Sequence, residues 1–430
     1  MSSYVTTTTA VTTRYPLIVP GGRFVESYYW DSYWIVRGLL VCDMTVTAWQ
    51  VISNLLSYVE TFSFVPNGGR IYYLDRSQPP MLTEMVSEYL THIGWESNEG
   101  LEILETVLPI LAKEYQFWMT ETNHHLVTID DVYNLNVYYS NGTTPRPESY
   151  KEDLQTCNGL LLPNAQAMCY RNIRTGAETG WDFSSRWLSG AMEDMNNIQS
   201  IDTTNIVPID LNAILYRVEM TLAAMSNVLA TYSRTVDEDG RVLLALSTDT
   251  YLEAAHERFE AIDALLWDET SSRWLDYNIS NGMKINAQTG NAAAQSSISA
   301  ESGDAKYSTI ASWIPMWAGI ASLSGIHREI KHQRTQKNDL YDGSKIQHNR
   351  LTDIFASVLA KVTTGGMAAV LQSASSENPR ISSSSSSGSG DSSSVLSVSM
   401  ALASQLVASL EDSGLIQVAG ILTSTLNTGQ

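Results

Sequence analysis

Pro20-Gly21-Gly22-Arg23-Phe24-Val25-Glu26-Ser27-Tyr28-Tyr29-Trp30-Asp31-Ser32-Tyr33-Trp34 is the most informative stretch of this chain. Its fifteen positions hold a glycine turn, an arginine, two carboxylates and six aromatic rings. Aromatic faces bind the apolar faces of sugar rings, while arginine and carboxylates hydrogen-bond ring hydroxyls in bidentate fashion. By composition alone, the same residues serve equally well as the start of a helix with aromatic core side chains.

Outward from this stretch, bulk properties narrow the function. The net charge is -20, from 46 acidic and 26 basic residues. A negative surface argues against nucleic acid or an anionic membrane as partner and is compatible with a neutral substrate such as a sugar. The 430 residues can bury one large core or two or three modest ones, and 43% hydrophobic content is ordinary for a globular protein. No apolar run approaches the roughly eighteen residues of a membrane span. Met1 to Leu17 is polar and Thr-rich, without a charged start followed by an apolar block, so no signal peptide is expected and a cytoplasmic location is favoured.

Cys42, Cys157 and Cys169 have no metal spacing and form no disulfide framework. Cys157 and Cys169 could pair only if the fold brought them together, and core thiols are the expectation. His124 and His125 are adjacent and are expected at the surface. No phosphate-cradling glycine loop and no His/Cys cluster is present, so no cofactor is implied, and no oligomeric state is implied either. Asn141-Gly-Thr and Asn278-Ile-Ser match the glycosylation triplet, a pattern that arises often by chance.

The organisation reads as mainly helical. Leu211, Leu215, Val218, Leu222, Met225 and Leu229 recur in steps of three and four, which predicts a helix over Ile209 to Ser233 with Pro208 at its start. Leu252, Ala255, Phe259, Ile262 and Leu266 predict another over Thr248 to Trp267, with Thr248 able to cap it. Pro79-Pro80 opens a third, carrying Met81, Met85, Tyr89 and Ile93 on one side. Gly100 to Trp118 reads as helix with a kink or break at Pro109. Strand signals are weak and short. From Lys331 to Val395 the chain turns polar, and Ser382 to Ser394 cannot bury enough apolar surface to offset its ordering entropy. This segment reads as an insertion with a disordered serine-rich loop.

Three further segments carry candidate chemistry. Asn67 to Pro80 places Asn67, Arg76, Ser77 and Gln78 among glycines and two prolines, which also suits a solvated loop. Arg146-Pro147-Glu148 by itself reads as an exposed salt-bridging turn. In Glu178-Thr179-Gly180-Trp181-Asp182-Phe183-Ser184-Ser185-Arg186-Trp187, two tryptophans flank an aspartate. An aspartate buried against tryptophan has a raised pKa and can donate a proton to a glycosidic oxygen. Spacing alone favours a plainer reading, an Asp182–Arg186 pair one turn apart on a helix.

Taken in order, these segments resemble the motifs of the trehalases, glycoside hydrolase family 37, which split α,α-trehalose into two glucoses. PGGRFVESYYWDSYW is similar to the N-terminal signature; NGxRxYYLxRSQPP, RPES and AExGWDFSSRW follow, and Ile206 to Ala213 is similar to IVPxDLNA. Trp313 to Trp317 resembles a later wall segment less specifically. The resemblance implies an (α/α)6 toroid, trehalose as the small-molecule partner, and Asp182 as the general acid of an inverting hydrolysis. It implies Arg23, Trp30, Asp31, Asn67, Arg76, Ser77, Gln78, Arg146, Glu148 and Gly180 as substrate-binding, with Glu26 and Glu178 as binding or supporting groups. The domains expected from it are a catalytic 1–330, an insertion at 331–395 and a return to the catalytic domain at 396–430, where Ser413 to Gln430 resembles SGLxxxAGIxTSxxxSGQ. In the family that segment runs into QWDxPNxWxP and the general base. Neither occurs before Gln430, so the toroid is expected to be incomplete at its C-terminal end. The alternative is a catalytically inactive trehalose-binding remnant.

Overall fold

The computed structural model describes residues 9–188, 197–232, 248–285 and 309–321, with the two short pairs 416–417 and 420–421. The insertion and the serine-rich loop expected between 331 and 395 lie outside the described residues, as does most of the segment expected to rejoin the catalytic domain.

The signature stretch ends in α1 (Asp31–Val41), with Asp31 in the first turn, where its charge favours the helix N-terminus. α1 packs on α2 (Thr45–Phe62) and α3 (Leu82–Ile93). α3 begins two residues after Pro79-Pro80 and buries Met85 and Tyr89, while Ile93 is only partly covered. α4 (Asn98–Met119) starts at Ser97, whose Oγ accepts the Gly100 N–H at 3.0 Å. Of the kink or break expected at Pro109, the break does not occur. The helix continues through it, and the turns around it are held by the buried Leu104, Val107, Leu108 and Leu111. Burial on both sides of the proline outweighs the one backbone hydrogen bond it removes.

A hairpin of β1 (Leu126–Ile129) and β2 (Tyr133–Asn136), with Leu126 opposite Asn136, leads to α5 (Tyr150–Cys157) and α6 (Pro163–Glu178). After β3 (Ile206–Val207), α7 (Ile209–Tyr232) starts directly beyond Pro208. The periodicity marks one apolar face, but α7 is buried on nearly every side, because α3, α4, α8 and α9 all pack against it. Its polar residues are paired accordingly: Arg217 Nε donates to Glu84 at 2.5 Å, and Glu219 accepts from Arg258 Nε at 2.9 Å. The periodic stretch expected as one helix to Trp267 divides into α8 (Thr248–Ala261) and a wider turn over Ile262–Leu266. Short strands β4 (Trp267–Asp268) and β5 (Arg273–Trp274) pair with each other, and β6 (Asp276–Asn278) joins β3 to β7 (Met283–Ile285). α9 (Ile314–Ala318) ends at Gly319, and a final pair of strands, β8 (Ile416–Gln417) and β9 (Gly420–Ile421), completes the described elements. The helices belong to an (α/α)6 toroid, with the apolar core running from α1–α4 through α7 to α8 and α9. None of the described helices is long and apolar enough to cross a membrane.

Three expectations are corrected by this packing. Cys157 at the end of α5 and Cys169 in α6 form a disulfide; the α5–α6 turn brings together two residues that spacing alone could not pair. Cys42 is exposed, just past the end of α1, and is not a core thiol. His125 is buried between the rings of Phe117 and Trp118, whereas His124 is exposed. Asn278 is buried in β6, and Asn141 is exposed.

Candidate active site

One cleft of about 790 Å³ gathers residues from four separate stretches of chain. Arg23, Trp30 and Asp31 come from the signature, Asn67, Arg76 and Gln78 from the loop before α3, Arg146 and Glu148 from the turn before α5, and Gly180 and Asp182 from the segment after α6. Its size suits a ligand of a few hundred Å³.

Backbone hydrogen bonds bring the stretches together. The Tyr29 N–H donates to the Asn67 carbonyl at 3.2 Å, and the Trp30 N–H donates to Gln78 Oε1 at 3.1 Å. Arg70 Nε donates to Glu26 at 2.7 Å, so Glu26 supports the loop from outside the cleft. Arg76 is buried; its guanidinium donates to Glu148 and, at 3.3 Å, to Asn67 Oδ1 and to Asp75. Arg146 is held by Asp153 of α5, with Nη2 to Oδ1 at 2.7 Å and Nε to Oδ2 at 3.0 Å, and it stacks on the ring of Phe183 at 4.8 Å. Arg23 stands over Phe24 at 4.9 Å. It has no carboxylate within salt-bridge distance among the described residues.

Asp182 is not on a helix and does not pair with Arg186. Arg186 turns away to a buried fork, Nη2 to Asp210 at 2.9 Å and Nε to Asp276 at 2.9 Å. Asp182 is thereby left without that cation. Solvent reaches it through the mouth of the cleft, yet protein encloses it on the remaining sides. That desolvation raises its pKa above the ordinary carboxylate value. Its own backbone N–H, Arg146 and Arg76 pull the other way, and Glu148 adds to the rise. Burial also raises Asp31, with the charge of Asp182 a further cause.

Ser77 stands apart from the other ten sequence-derived residues. It is fully buried, its Oγ donates to the Val65 carbonyl at 2.7 Å, and it does not line the cleft. The cleft also includes side chains not singled out from the sequence. Tyr28 and Tyr73, hydroxyl to hydroxyl at 3.5 Å, form a wall with Phe24, and burial raises both phenols. Glu152, Asp153 and Thr156 of α5 close another side. Tyr28 and Phe24 sat inside the signature and were legible there; no local signal marks the α5 residues. Among the described residues, no group of three or more His, Cys, Asp or Glu could hold a metal ion.

Fold and cleft together place the chain in the class of (α/α)6 toroid proteins with an aromatic, arginine-rich cleft. The trehalase family model matches residues 2–350, and the chain belongs to the trehalase family. It is 41% identical over 269 residues to the trehalase of Dictyostelium discoideum, covering 61% of this chain and 42% of that one. It is 42% identical over 271 residues to the trehalase of Apis mellifera (63% and 40%), and 40% identical over 271 residues to that of Homo sapiens (63% and 43%). The chain thus spans about two fifths of the length of these curated relatives. Among solved structures, the neutral trehalase of Saccharomyces cerevisiae superposes with a TM-score of 0.53 at 22% identity, over 71% of this chain and 52% of that one.

Proposed function

We propose that the cleft binds α,α-trehalose and that the protein hydrolyses it to two glucoses with inversion, Asp182 acting as general acid. One observation carries the reading: the Asp182 carboxyl, enclosed by protein except at the mouth, faces a cleft whose other groups are those that grip a sugar. A protonated Asp182 donates to the bridging oxygen as the bond to the anomeric carbon breaks. Arg76, Arg146, Gln78, Asn67 and Glu148 are the hydroxyl partners, and Trp30 is the apolar face for a ring. Ser77 supports Gln78 from behind.

Inversion also requires a second carboxylate, about 6.5–9.5 Å from the acid, to deprotonate a water on the opposite face of the sugar. Among the described cleft carboxylates, Glu148 and Asp153 are held by arginines, which suits binding better than proton abstraction, while Asp31 and Glu152 have no lysine or arginine within salt-bridge distance among the described residues. The alternative reading is trehalose binding without turnover. Glucose release from trehalose, measured alongside calorimetric binding of the same sugar, separates the two. Binding with turnover that is lost in Asp182→Asn supports the first, binding alone supports the second, and neither would sink both.

A further inference from the structure

Glu178 is the last residue of α6 and is completely buried. Its Oε1 accepts the backbone N–H of Ser77 at 2.8 Å, and its Oε2 accepts the backbone N–H of Tyr139 at 2.7 Å. The Nε2 of His125 lies between the two oxygens, at 3.1 and 3.2 Å. Ser77 belongs to the loop that carries Asn67, Arg76 and Gln78. Tyr139 begins the segment that ends in Arg146 and Glu148. A single carboxylate therefore bridges the two loops whose side chains line the cleft, and it stands four residues before Asp182 on the same stretch of chain.

We infer that Glu178 is a positioning residue of this cleft: it fixes the Arg76–Glu148 pair relative to Asp182, and His125 orients its carboxylate. The inference rests on the reading of the cleft as a trehalose site. A buried carboxylate is tolerated only when its oxygens are satisfied. Among the described residues, no lysine or arginine hydrogen-bonds Glu178. The donors are two backbone N–H groups and one imidazole, so the burial of this charge depends on both loops being in place. The converse also holds. Each loop N–H needs an acceptor at that point, and only a group with two acceptor oxygens serves both.

His125 is committed to the same task. It is clamped against the rings of Phe117 and Trp118, at 4.9 and 4.7 Å, and its Nδ1 has no hydrogen-bond partner among the described residues. Its polar contact is thus with Glu178. One turn earlier on α6, Arg174 repeats the bridging, donating to Asp75 of the first loop and to the carbonyls of Thr144 and Pro145 of the second, at 2.7 and 2.9 Å. The last turns of α6 form a rack on which both loops are mounted before the chain turns into the cleft at Gly180.

Glu178→Gln tests this. The amide supplies one acceptor and two donors, so one of the two loop N–H groups then faces a donor. Amide hydrogen exchange is expected to accelerate in both 67–78 and 139–148, while α2 and α4 keep their protection. For trehalose hydrolysis, kcat/KM is expected to fall at least tenfold, mostly through KM, because the displaced groups hold the sugar in ground state and transition state alike. Leu222→Ala, a core change outside the cleft, should lower thermal stability without raising KM. Should Glu178→Gln fail to fold, His125→Phe keeps the ring packing and removes one donor, and a smaller acceleration is expected in the same two segments. Unchanged exchange in both segments, or a kcat/KM within twofold of wild type, overturns the inference. If the wild-type protein neither binds nor hydrolyses trehalose, the sugar reading fails, and the exchange measurements still decide whether Glu178 holds the loops.

Discussion

Gly180 and Trp30, separated by 150 positions in sequence, are packed so closely that no side chain fits between them. A Cβ on Gly180 would stand 2.7 Å from the indole Cε2 and 2.8 Å from Nε1. The backbone there also has a φ of +71°, in the left-handed region. Gly180→Ala therefore carries a conformational penalty of about 1–2 kcal/mol and must also displace the indole that lines the cleft. The expected result is a lower Tm together with weaker trehalose binding, measured by thermal unfolding and calorimetry. Unaltered affinity would show that Trp30 moves aside freely and does not contact the sugar.

Asp182→Asn preserves shape and removes the proton. Turnover should fall by roughly 10²–10⁴-fold or more, the contribution of general acid catalysis, while the Kd for trehalose stays near wild type. Because burial raises the Asp182 pKa, the acid remains protonated to a higher pH than an ordinary aspartate. Activity should be lost as pH rises through that value. A variant with near-normal turnover would remove Asp182 from the mechanism.

Glu114 is buried beneath the signature stretch, where the Tyr29 hydroxyl donates to its Oε1 at 2.5 Å and in turn accepts the Leu82 N–H at 2.9 Å. Burial pushes its pKa up from 4.5 to about 7. Between those values the folded state keeps a proton that the unfolded chain has released. The resulting stabilisation is complete below the unfolded pKa, declines as pH rises toward about 7, and is gone above it; its full size is roughly 3 kcal/mol. Glu114→Gln keeps an acceptor for Tyr29 without a titrating group. Its Tm, relative to wild type, should therefore be higher at pH 8 than at pH 5. An identical pH slope in the two proteins would rule out Glu114 as the source.

The Cys157–Cys169 disulfide closes a loop of twelve residues between α5 and α6. Removing a crosslink of that size costs about 3 kcal/mol in the chain-entropy description. Reductant, or Cys157→Ser with Cys169→Ser, should lower Tm to a similar extent, whereas Cys42→Ser at its exposed position should leave it alone. Since α5 also carries Asp153, the partner of Arg146, trehalose affinity should fall with Tm. A Tm insensitive to reductant would show that the bridge contributes nothing to stability.

Much of this protein is determined within short windows of its sequence. The start of α7 at Ile209 follows from a proline and an apolar period, and helix formation depends on residues within one or two turns. The order of the motifs is likewise readable residue by residue, and ten of the eleven residues they single out line one cleft. What only the tertiary structure decided lies in contacts between distant positions. Spacing paired Asp182 with Arg186, but the fold gives Arg186 to Asp210 and Asp276, 24 and 90 residues away. Ser77 looked like its neighbours Arg76 and Gln78, yet its position beneath the loop leaves it with Val65 and Glu178. His125 went inward and His124 outward because Glu178 offered a buried acceptor. Cys157 met Cys169 because α5 turns back on α6. Each of these outcomes is a partnership between distant positions, and most buried polar groups are held by such a partner. The partner is set by the path of the whole chain, which no local window contains.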